Sequence, residues 1–313
     1  MTLVQLEYAV AVDTHRHFAA AAASCFITQP TLSMQLHKLE EELGIKIFDR
    51  SRQPVTPTAV GELFLQHARK VLAEARMLED VVREKQDRID GELRLAIIPT
   101  LAPYLLPHFL PHFIRHYPAV QLKVKEMTTD QVIDALLRGQ ADIGLVVTPL
   151  GHAGIREEVL FYEEMLAYVS RKHAAYKKTY MLANDIDVRE LWLLEEGHCL
   201  RSQMLNICEL QAAQKNLSLF EYEAGSLETL KKMVETNHGI TILPELATQD
   251  MTAAQSRLLR HFKSPAPMRE VSLVTPKNFV KQKLFRAVKA SILSNLPEKI
   301  KKNKARNLVP VDI

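Results

Sequence analysis

The sequence predicts an α/β chain: a helix-turn-helix module first, a long linker helix next, then an α/β region built on a parallel sheet. Three observations lead there. Residues 1–57 read as short helices joined by tight turns. Thr58 to about Arg88 carries no proline and one glycine. From Gly91 onward, apolar strands alternate with amphipathic helices.

In the first segment, Leu3–Asp13 is apolar on one face through Leu3, Leu6 and Val10. Ala19–Ser24 is almost pure alanine, which lets helices approach closely. Thr28 is placed to cap a helix whose first turn accepts Pro30, because an early proline gives up no intrahelical hydrogen bond. Leu32, Leu36, Leu39 and Leu43 then recur at helical spacing, and Gly44 closes the helix in the left-handed conformation. The opposite face shows Thr31, Ser33, Gln35 and Lys38. Helix, turn, short helix, turn, helix is a helix-turn-helix layout.

The long helix would be on the order of 45 Å at 1.5 Å per residue. Phe64, Ala68, Val71, Ala75, Leu78, Val82, Lys85 and Ile89 alternate in steps of four and three, a heptad seam broken at Lys85. An apolar stripe on a charged helix needs a partner, and a second copy of the chain is the simplest one.

Beyond it, Leu93, Leu95 and Ile97 alternate as a strand. Tyr104–His116 follows as a helix, Val120–Glu126 as a strand, Thr129–Arg138 as a helix capped by Gly139, and Ile143–Val147 as a buried strand. The rhythm resumes with strands at Glu164–Ser170, Leu191–Leu194, Phe220–Ala224, Ile240–Leu243 and Val271–Val274. Helices are expected at Cys199–Lys215, Leu227–Asn237 and Val280–Leu293. After Pro297 the chain is basic without periodicity, and residues 298–313 are expected to form a disordered tail.

Charge gives no shortcut to function. The 313 residues sum to +3. The tail alone holds five basic groups against two acidic ones, which is the whole excess. Residues 1–88 hold 11 basic and 12 acidic groups, so any nucleic-acid contact must come from a local surface, with Glu40–Glu42 and Asp80 turned away. No apolar run approaches the roughly 20 residues of a membrane span, and no secretory signal opens the chain. A cytoplasmic location is therefore expected, with no membrane partner. Three cysteines do not make a disulfide scaffold.

Two of those cysteines lie close together, Cys199 and Cys208. The apolar run Leu191–Leu194 leads through Gly197 into a helix, which puts Cys199 near its N-terminus, where the helix dipole favours a thiolate. His198 and Arg201 add donors, and Glu195 and Glu196 oppose them. In a helix the two Cα atoms would stand roughly 13 Å apart, whereas a disulfide needs about 4.4–6.8 Å. Bonding them would require the helix to unwind. On spacing alone the stronger reading is that both are inert buried thiols. Cys25, after an alanine run, reads as packed. His108, His112 and His116 share a helix face with no Cys or carboxylate to complete a metal set, so no metal and no cofactor is expected.

Residues 1–60 resemble the DNA-binding domain of LysR-type transcriptional regulators. The residues that carry this are Ala20-Ala21-Ala22, Thr28-Gln29-Pro30-Thr31-Leu32-Ser33, Gln35, Leu39-Glu40, Leu43-Gly44, Phe48-Asp49-Arg50 and Thr56-Pro57. Within that family the chain is similar to the peroxide-sensing members. It shares His15-Arg16-His17-Phe18, Ile98-Pro99-Thr100, Pro103-Tyr104-Leu105-Leu106-Pro107, Glu196-Gly197-His198-Cys199-Leu200-Arg201, Ser226-Leu227-Glu228-Thr229-Leu230 and Gly239-Ile240-Thr241. Almost the whole chain is covered, save the tail.

The resemblance implies a winged helix-turn-helix at 1–58, a dimerising linker helix at 59–89 and a regulatory domain at 90–297. The regulatory domain would hold two subdomains resembling periplasmic binding proteins, about 90–161 with 268–297, and about 162–267. It implies homodimers assembling into homotetramers, promoter DNA and RNA polymerase as partners, and hydrogen peroxide as signal. Cys199 would react with peroxide and Cys208 would resolve it in a disulfide, reset by a glutaredoxin- or thioredoxin-like reductant. Thr100, Thr129, His198 and Arg201 match positions around the reactive thiol, with Arg269 as a further pocket residue. Gln29, Pro30, Thr31, Ser33, Gln35 and Lys38, with Arg50 and Arg52 on the wing, are the expected DNA contacts.

Two positions depart from the pattern. Ser202 replaces a usual Asp, removing a negative charge near Cys199. Met34 replaces a frequent Arg, removing a DNA contact. Two other readings stand beside this one. One is a LysR-type regulator answering a small metabolite between its subdomains. The other is a thiol peroxidase, which would leave the helix-turn-helix unexplained; the chain is otherwise not expected to be an enzyme.

Overall fold

Local capping sets the first elements of the structure, a computed structural model that describes residues 1–85, 88–195, 199–207 and 224–310. Thr2 and Gln5 form a reciprocal capping box for α1 (Leu3–His15). His17 caps α2 (Phe18–Ser24). Thr28 caps α3 (Gln29–Leu43), whose second residue is Pro30 and whose end is the left-handed Gly44 at φ 66°. A two-stranded wing follows, β1 (Phe48–Asp49) antiparallel to β2 (Thr56–Pro57), and then α4 (Ala59–Glu84).

The core of this unit holds Ala9, Val12, Ala21, Ala22, Leu32, Leu36, Leu39, Ile47, Phe48 and Leu65. The α1 face is Leu6, Ala9 and Val12 with Val10 packed beside it; of the expected Leu3, Leu6 and Val10, only Leu3 lies exposed. Cys25 packs at the edge of this core. Gly61 is required by close approach: a Cβ there would sit 2.0 Å from the Ile47 carbonyl oxygen.

The linker helix stops at Glu84, not near Arg88. The expected seam also divides. Phe64 and Ala68 pack on α1 through Leu6 and Val10, Lys85 lies past the helix end, and Ile89 packs against the first core of the following domain. Val71, Leu78 and Val82 stay exposed, alongside Val60, Leu63 and Val81.

The second unit opens with β3 (Gly91–Ile97), α5 (Ala102–His116), β4 (Val120–Glu126), α6 (Thr129–Leu137) and β5 (Ile143–Thr148). Helix α5 runs unbroken through Pro107 and Pro111. With Pro103 they are spaced four apart and all exposed, so the carbonyls they leave unpaired face water. Next come β6 (Ile155–Val169), β7 (Tyr180–Met181), α7 (Cys199–Ile207), α8 (Leu227–Thr236), β8 (Ile240–Pro244), the short α9 (Ala253–Ser256) and β9 (Leu259–Phe262). Strand β10 (Met268–Pro276) and helices α10 (Gln282–Asn295) and α11 (Glu298–Lys301) close the chain.

The sheet order is β4-β3-β5-β10-β6-β9-β7, with β8 also on β6. The expected parallel pairing holds for β4-β3-β5. Strands β10 and β6 instead run antiparallel to their neighbours. Strand β6 is long enough to serve two cores: its first half pairs with β10 and its second half with β8 and β9. Leu191–Leu194 makes isolated bridges to Ile240 and Ala224 rather than a strand. Most of the expected strand 220–224, and the expected helix beyond Ile207, lie outside the described residues.

The expected disordered tail is corrected most clearly. Residues 298–301 form α11, and Ile300 is fully buried in the first core. Leu308 bridges Met268, and Val309 is buried in the second core. No helix among the described residues is long and apolar enough to cross a membrane.

One carboxylate holds the wing to the helices. Buried Glu40 accepts hydrogen bonds from the Ile47 and Phe48 backbone N–H groups and pairs with Arg50. Glu40→Ala should cost this unit about 2–4 kcal/mol, because two buried donors lose their acceptor. Glu40→Gln should cost less than half of that. Faster amide exchange in residues 1–85 of the full-length chain is the readout; unchanged exchange in Glu40→Ala would refute the role.

Candidate functional site

Cys199 is the first residue of α7. The apolar face of that helix, Leu200, Met204, Leu205 and Ile207, packs into the second core, while Cys199 itself belongs to the first. The thiol therefore sits at the join between them, and it is buried.

Opposing effects act on it. Burial is the largest and pushes the thiol pKa up, because a thiolate loses water there. The Thr129 hydroxyl, the Arg269 charge and the backbone N–H groups of Leu200 and Cys199 pull the other way. In this state burial prevails, which corrects the low-pKa thiol expected from the sequence. Thr129 is the first residue of α6 and is buried, and its Oγ1 has no well-formed hydrogen bond among the described residues. A buried hydroxyl facing a thiol without a committed partner is placed to donate to, or accept from, a small polar oxidant.

Arg269 has no exposed surface. It lies opposite Glu163 in the β10–β6 register, and its Nε donates to Glu163 Oε1 at 2.8 Å. Glu163, also fully buried, accepts the Leu246 N–H on its second oxygen at 2.8 Å. The other arms of Arg269 reach Thr100 Oγ1 and the Thr100 carbonyl, each at 3.4 Å. The structure thus gathers Cys199, Thr100, Thr129 and Arg269 at one place. Arg201 is turned elsewhere, donating to the Leu194 carbonyl at 2.7 Å, so it holds the end of the Leu191–Leu194 run. His198 and Cys208 lie outside the described residues. Glu163 does not stand out in the sequence, because an isolated acid on a strand carries no signal until its partner strand is known.

On the helix-turn-helix, Gln29, Ser33, Arg50 and Arg52 line one concavity. Arg16, His17 and Phe18 line it too, residues that helix periodicity does not single out. Pro30 and Lys38 are exposed and outside that concavity. Thr31 shares a hydrogen bond with the Thr28 cap, and Gln35 accepts one from Gln5. Arg50 is held by Glu40 and by the Phe18 ring 5.0 Å away. Arg52 is largely exposed, 3.4 Å from Asp49.

His173, Glu190 and His238 also meet. His173 Nδ1 accepts the Ala175 N–H at 3.0 Å, so its Nε2 carries the proton given to Glu190 at 2.6 Å. That tautomer makes His173 a donor to the carboxylate and not a ready metal ligand.

A helix-turn-helix followed by two α/β cores around a buried thiol defines a class of ligand- or signal-responsive regulators, and comparison places the chain within it. Residues 3–62 match the bacterial regulatory helix-turn-helix of the lysR family, and residues 86–297 match the LysR substrate binding domain. The chain belongs to the LysR family of transcriptional regulators. Inside that family its resemblance is to OxyR. It is 36% identical over 274 residues to a hydrogen peroxide-inducible genes activator of Haemophilus influenzae, covering 88% of this chain and 90% of that one. It is 33% identical over 274 residues to the dual regulator OxyR of Escherichia coli, covering 88% and 89%. A full-length OxyR variant from Pseudomonas aeruginosa superposes with TM-score 0.76 at 31% identity, covering 94% and 98%.

Two measurements test this geometry. The folded Cys199 thiol keeps its proton to higher pH than the unfolded one, so it contributes stability below about pH 8.5 that is lost as pH rises through the folded value. Alkylation of native Cys199 should therefore titrate at higher pH than in urea, and Thr129→Val should raise it further. A native midpoint below the urea value would refute this. Arg269→Met should destabilise the second unit by about 3–5 kcal/mol by stranding Glu163, and adding Glu163→Met should recover most of the loss. Unfolding that gives equal losses for single and double variants would contradict it.

Proposed function

We propose that this chain is a cytoplasmic, hydrogen-peroxide-responsive transcriptional activator that binds promoter DNA and switches through a Cys199–Cys208 disulfide. The observation that carries the reading is the buried Cys199 at the start of α7, with the Arg269 charge and the buried Thr129 hydroxyl directed at it. The names of the relatives agree with it.

The chemistry balances as two thiols and one peroxide giving a disulfide and two waters. The Cys199 thiolate attacks one peroxide oxygen and the O–O bond breaks. The departing hydroxide takes a proton and leaves as water, and Cys199 becomes a sulfenic acid. Thr129 and Thr100 hydroxyls hold the peroxide oxygens, and Arg269 stabilises the developing negative charge. His198 completes the proposed pocket, while Arg201 acts from outside it by holding the Leu194 carbonyl. Cys208 then attacks the sulfenic sulfur, and the second water leaves. A dithiol reductant of the glutaredoxin or thioredoxin kind returns the two electrons.

The ends of α7, Cys199 and Ile207, are roughly 12 Å apart along the axis. One further Cα step of about 3.8 Å does not bring Cys208 within the disulfide range of about 4.4–6.8 Å. Oxidation in this reading unwinds α7, and the chemical signal becomes a conformational one. The exposed Val71, Leu78 and Val82 of α4 supply a face for a second copy. Dimers pair into a tetramer whose recognition helices, through Gln29, Ser33, Gln35 and Lys38, shift on DNA and toward RNA polymerase.

Cys199→Ser should abolish the peroxide-induced change in promoter footprint, and Cys208→Ser should accumulate a dimedone-reactive sulfenic acid. Peroxide consumption should stop at one equivalent without reductant. A response that survives replacement of both cysteines would overturn the switch in favour of a metabolite in the cleft.

A further inference from the structure

Residues 298–310 are not a solvated basic tail, and what they touch is specific. After α11, the Asn303 side chain donates to the Tyr162 carbonyl at 3.1 Å and to Glu245 Oε2 at 2.9 Å. The Asn307 carbonyl accepts the Met268 N–H at 3.1 Å, and the Val309 N–H is donated to the Met268 carbonyl at 2.9 Å. These contacts attach the segment to the residues immediately before Glu163 and Arg269. Val309 and Pro310 then meet α7: Gln203 Nε2 donates to the Val309 carbonyl at 3.2 Å, and Asn206 Nδ2 to the Pro310 carbonyl at 3.3 Å. Ile300 is anchored in the first core and Val309 in the second.

We infer that residues 307–310 are a strap that holds α7 in its helical, reduced arrangement, with Gln203 as the positioning residue through which it acts. Gln203 lies one turn after Cys199 on α7 and has no exposed surface. Its Oε1 has no partner among the described residues, so the donation to Val309 is what engages the amide. The strap crosses from the first core to the second beside the Arg269–Glu163 pair. A helix that must unwind to bring its two thiols together has to release both of these carbonyl contacts. The strap thus sets the cost of the second step, disulfide closure, and leaves the first, the attack on peroxide, to Cys199 and its pocket. This link to oxidation rests on the switch proposed above; the hold on α7 does not.

The test is amide exchange in the reduced full-length chain, compared with a chain ending after Arg306 and with Gln203→Met. The shortened chain keeps α11 and the Ile300 and Asn303 anchors, so its first core stays intact. Exchange across residues 199–207 should rise roughly tenfold in both variants, as expected when buried hydrogen bonds holding a helix are lost. Combining them should add little, and α5 should serve as the unchanged reference. Exchange in α7 within about twofold of the starting chain would overturn the strap. A rise on truncation with none in Gln203→Met would overturn Gln203 as its point of action. After peroxide, the shortened chain should close its disulfide several-fold faster. Sulfenic acid formation, followed in a Cys208→Ser background, should stay within about twofold. Equal closure rates would overturn the link to oxidation. Absence of any disulfide in the starting chain would instead refute the switch, and the exchange result would still decide the strap.

Discussion

One guanidinium with no exposed surface organises the regulatory half of this molecule. Arg269 sits on β10, opposite Glu163 on β6, the strand whose length reaches both cores. A buried arginine is tolerated when its charge and its donors are all answered. Here Glu163 answers the charge, Thr100 takes the remaining arms, and Leu246 fixes the second carboxylate oxygen. Four separated stretches of chain are bound to one ion pair. Strand register enforces it, since a one-residue slip would turn Arg269 to the other face. A pair of apolar residues would pack there at no loss of stability, so the charge is better understood through what it does to its neighbour.

That neighbour is Cys199, and the two effects on it pull in opposite directions. Burial holds the sulfur neutral; Arg269, Thr129 and the α7 backbone favour its ionised form. An exposed thiolate of low pKa reacts with many oxidants. A buried thiol that ionises against a fixed positive charge reacts only when a molecule small enough to enter also brings hydrogen-bonding capacity. Peroxide satisfies both conditions. The site geometry thus argues for selectivity by access, with the arginine supplying the stabilisation that burial removes.

How much of this was legible beforehand follows a physical line. Caps and periodicities were readable: Thr28, Pro30 and Gly44 bound α3 as their chemistry requires, and β3, β4 and β5 fall where alternation puts them. The cysteine pair was visible as spacing, and the neutral balance of residues 1–88 as a count. Long-range pairing was not readable. The antiparallel β6 and β10 interrupt a rhythm that locally looks parallel. Glu163 gains meaning only from Arg269, more than a hundred residues away. The pKa of Cys199 was read from helix position and nearby sequence, and the surrounding packing reversed it. The tail misled for the same reason. Its charges dominate the sequence, but Ile300 and Val309, two apolar residues nine apart, decide where it goes.

The same separation between charge and role governs the DNA-binding unit. Arg50 would be the natural phosphate contact on the wing, yet it faces the Phe18 ring and the buried Glu40, whose other oxygen holds the Ile47 and Phe48 backbone. Much of its charge is thereby spent inside the fold. What remains at the concavity is Arg16, itself paired with Asp13, and the largely exposed Arg52, 3.4 Å from Asp49, with Gln29 and Ser33 also lining it. Few uncommitted cations at the concavity itself mean few counterions released there, so outlying cations such as the exposed Lys38 have to add to it. Such a unit holds DNA firmly only when several act together. In the proposed tetramer, the sequence reading of each unit and the spacing between units would then count for more than raw charge. That makes DNA binding responsive to a change of geometry such as unwinding α7 would impose.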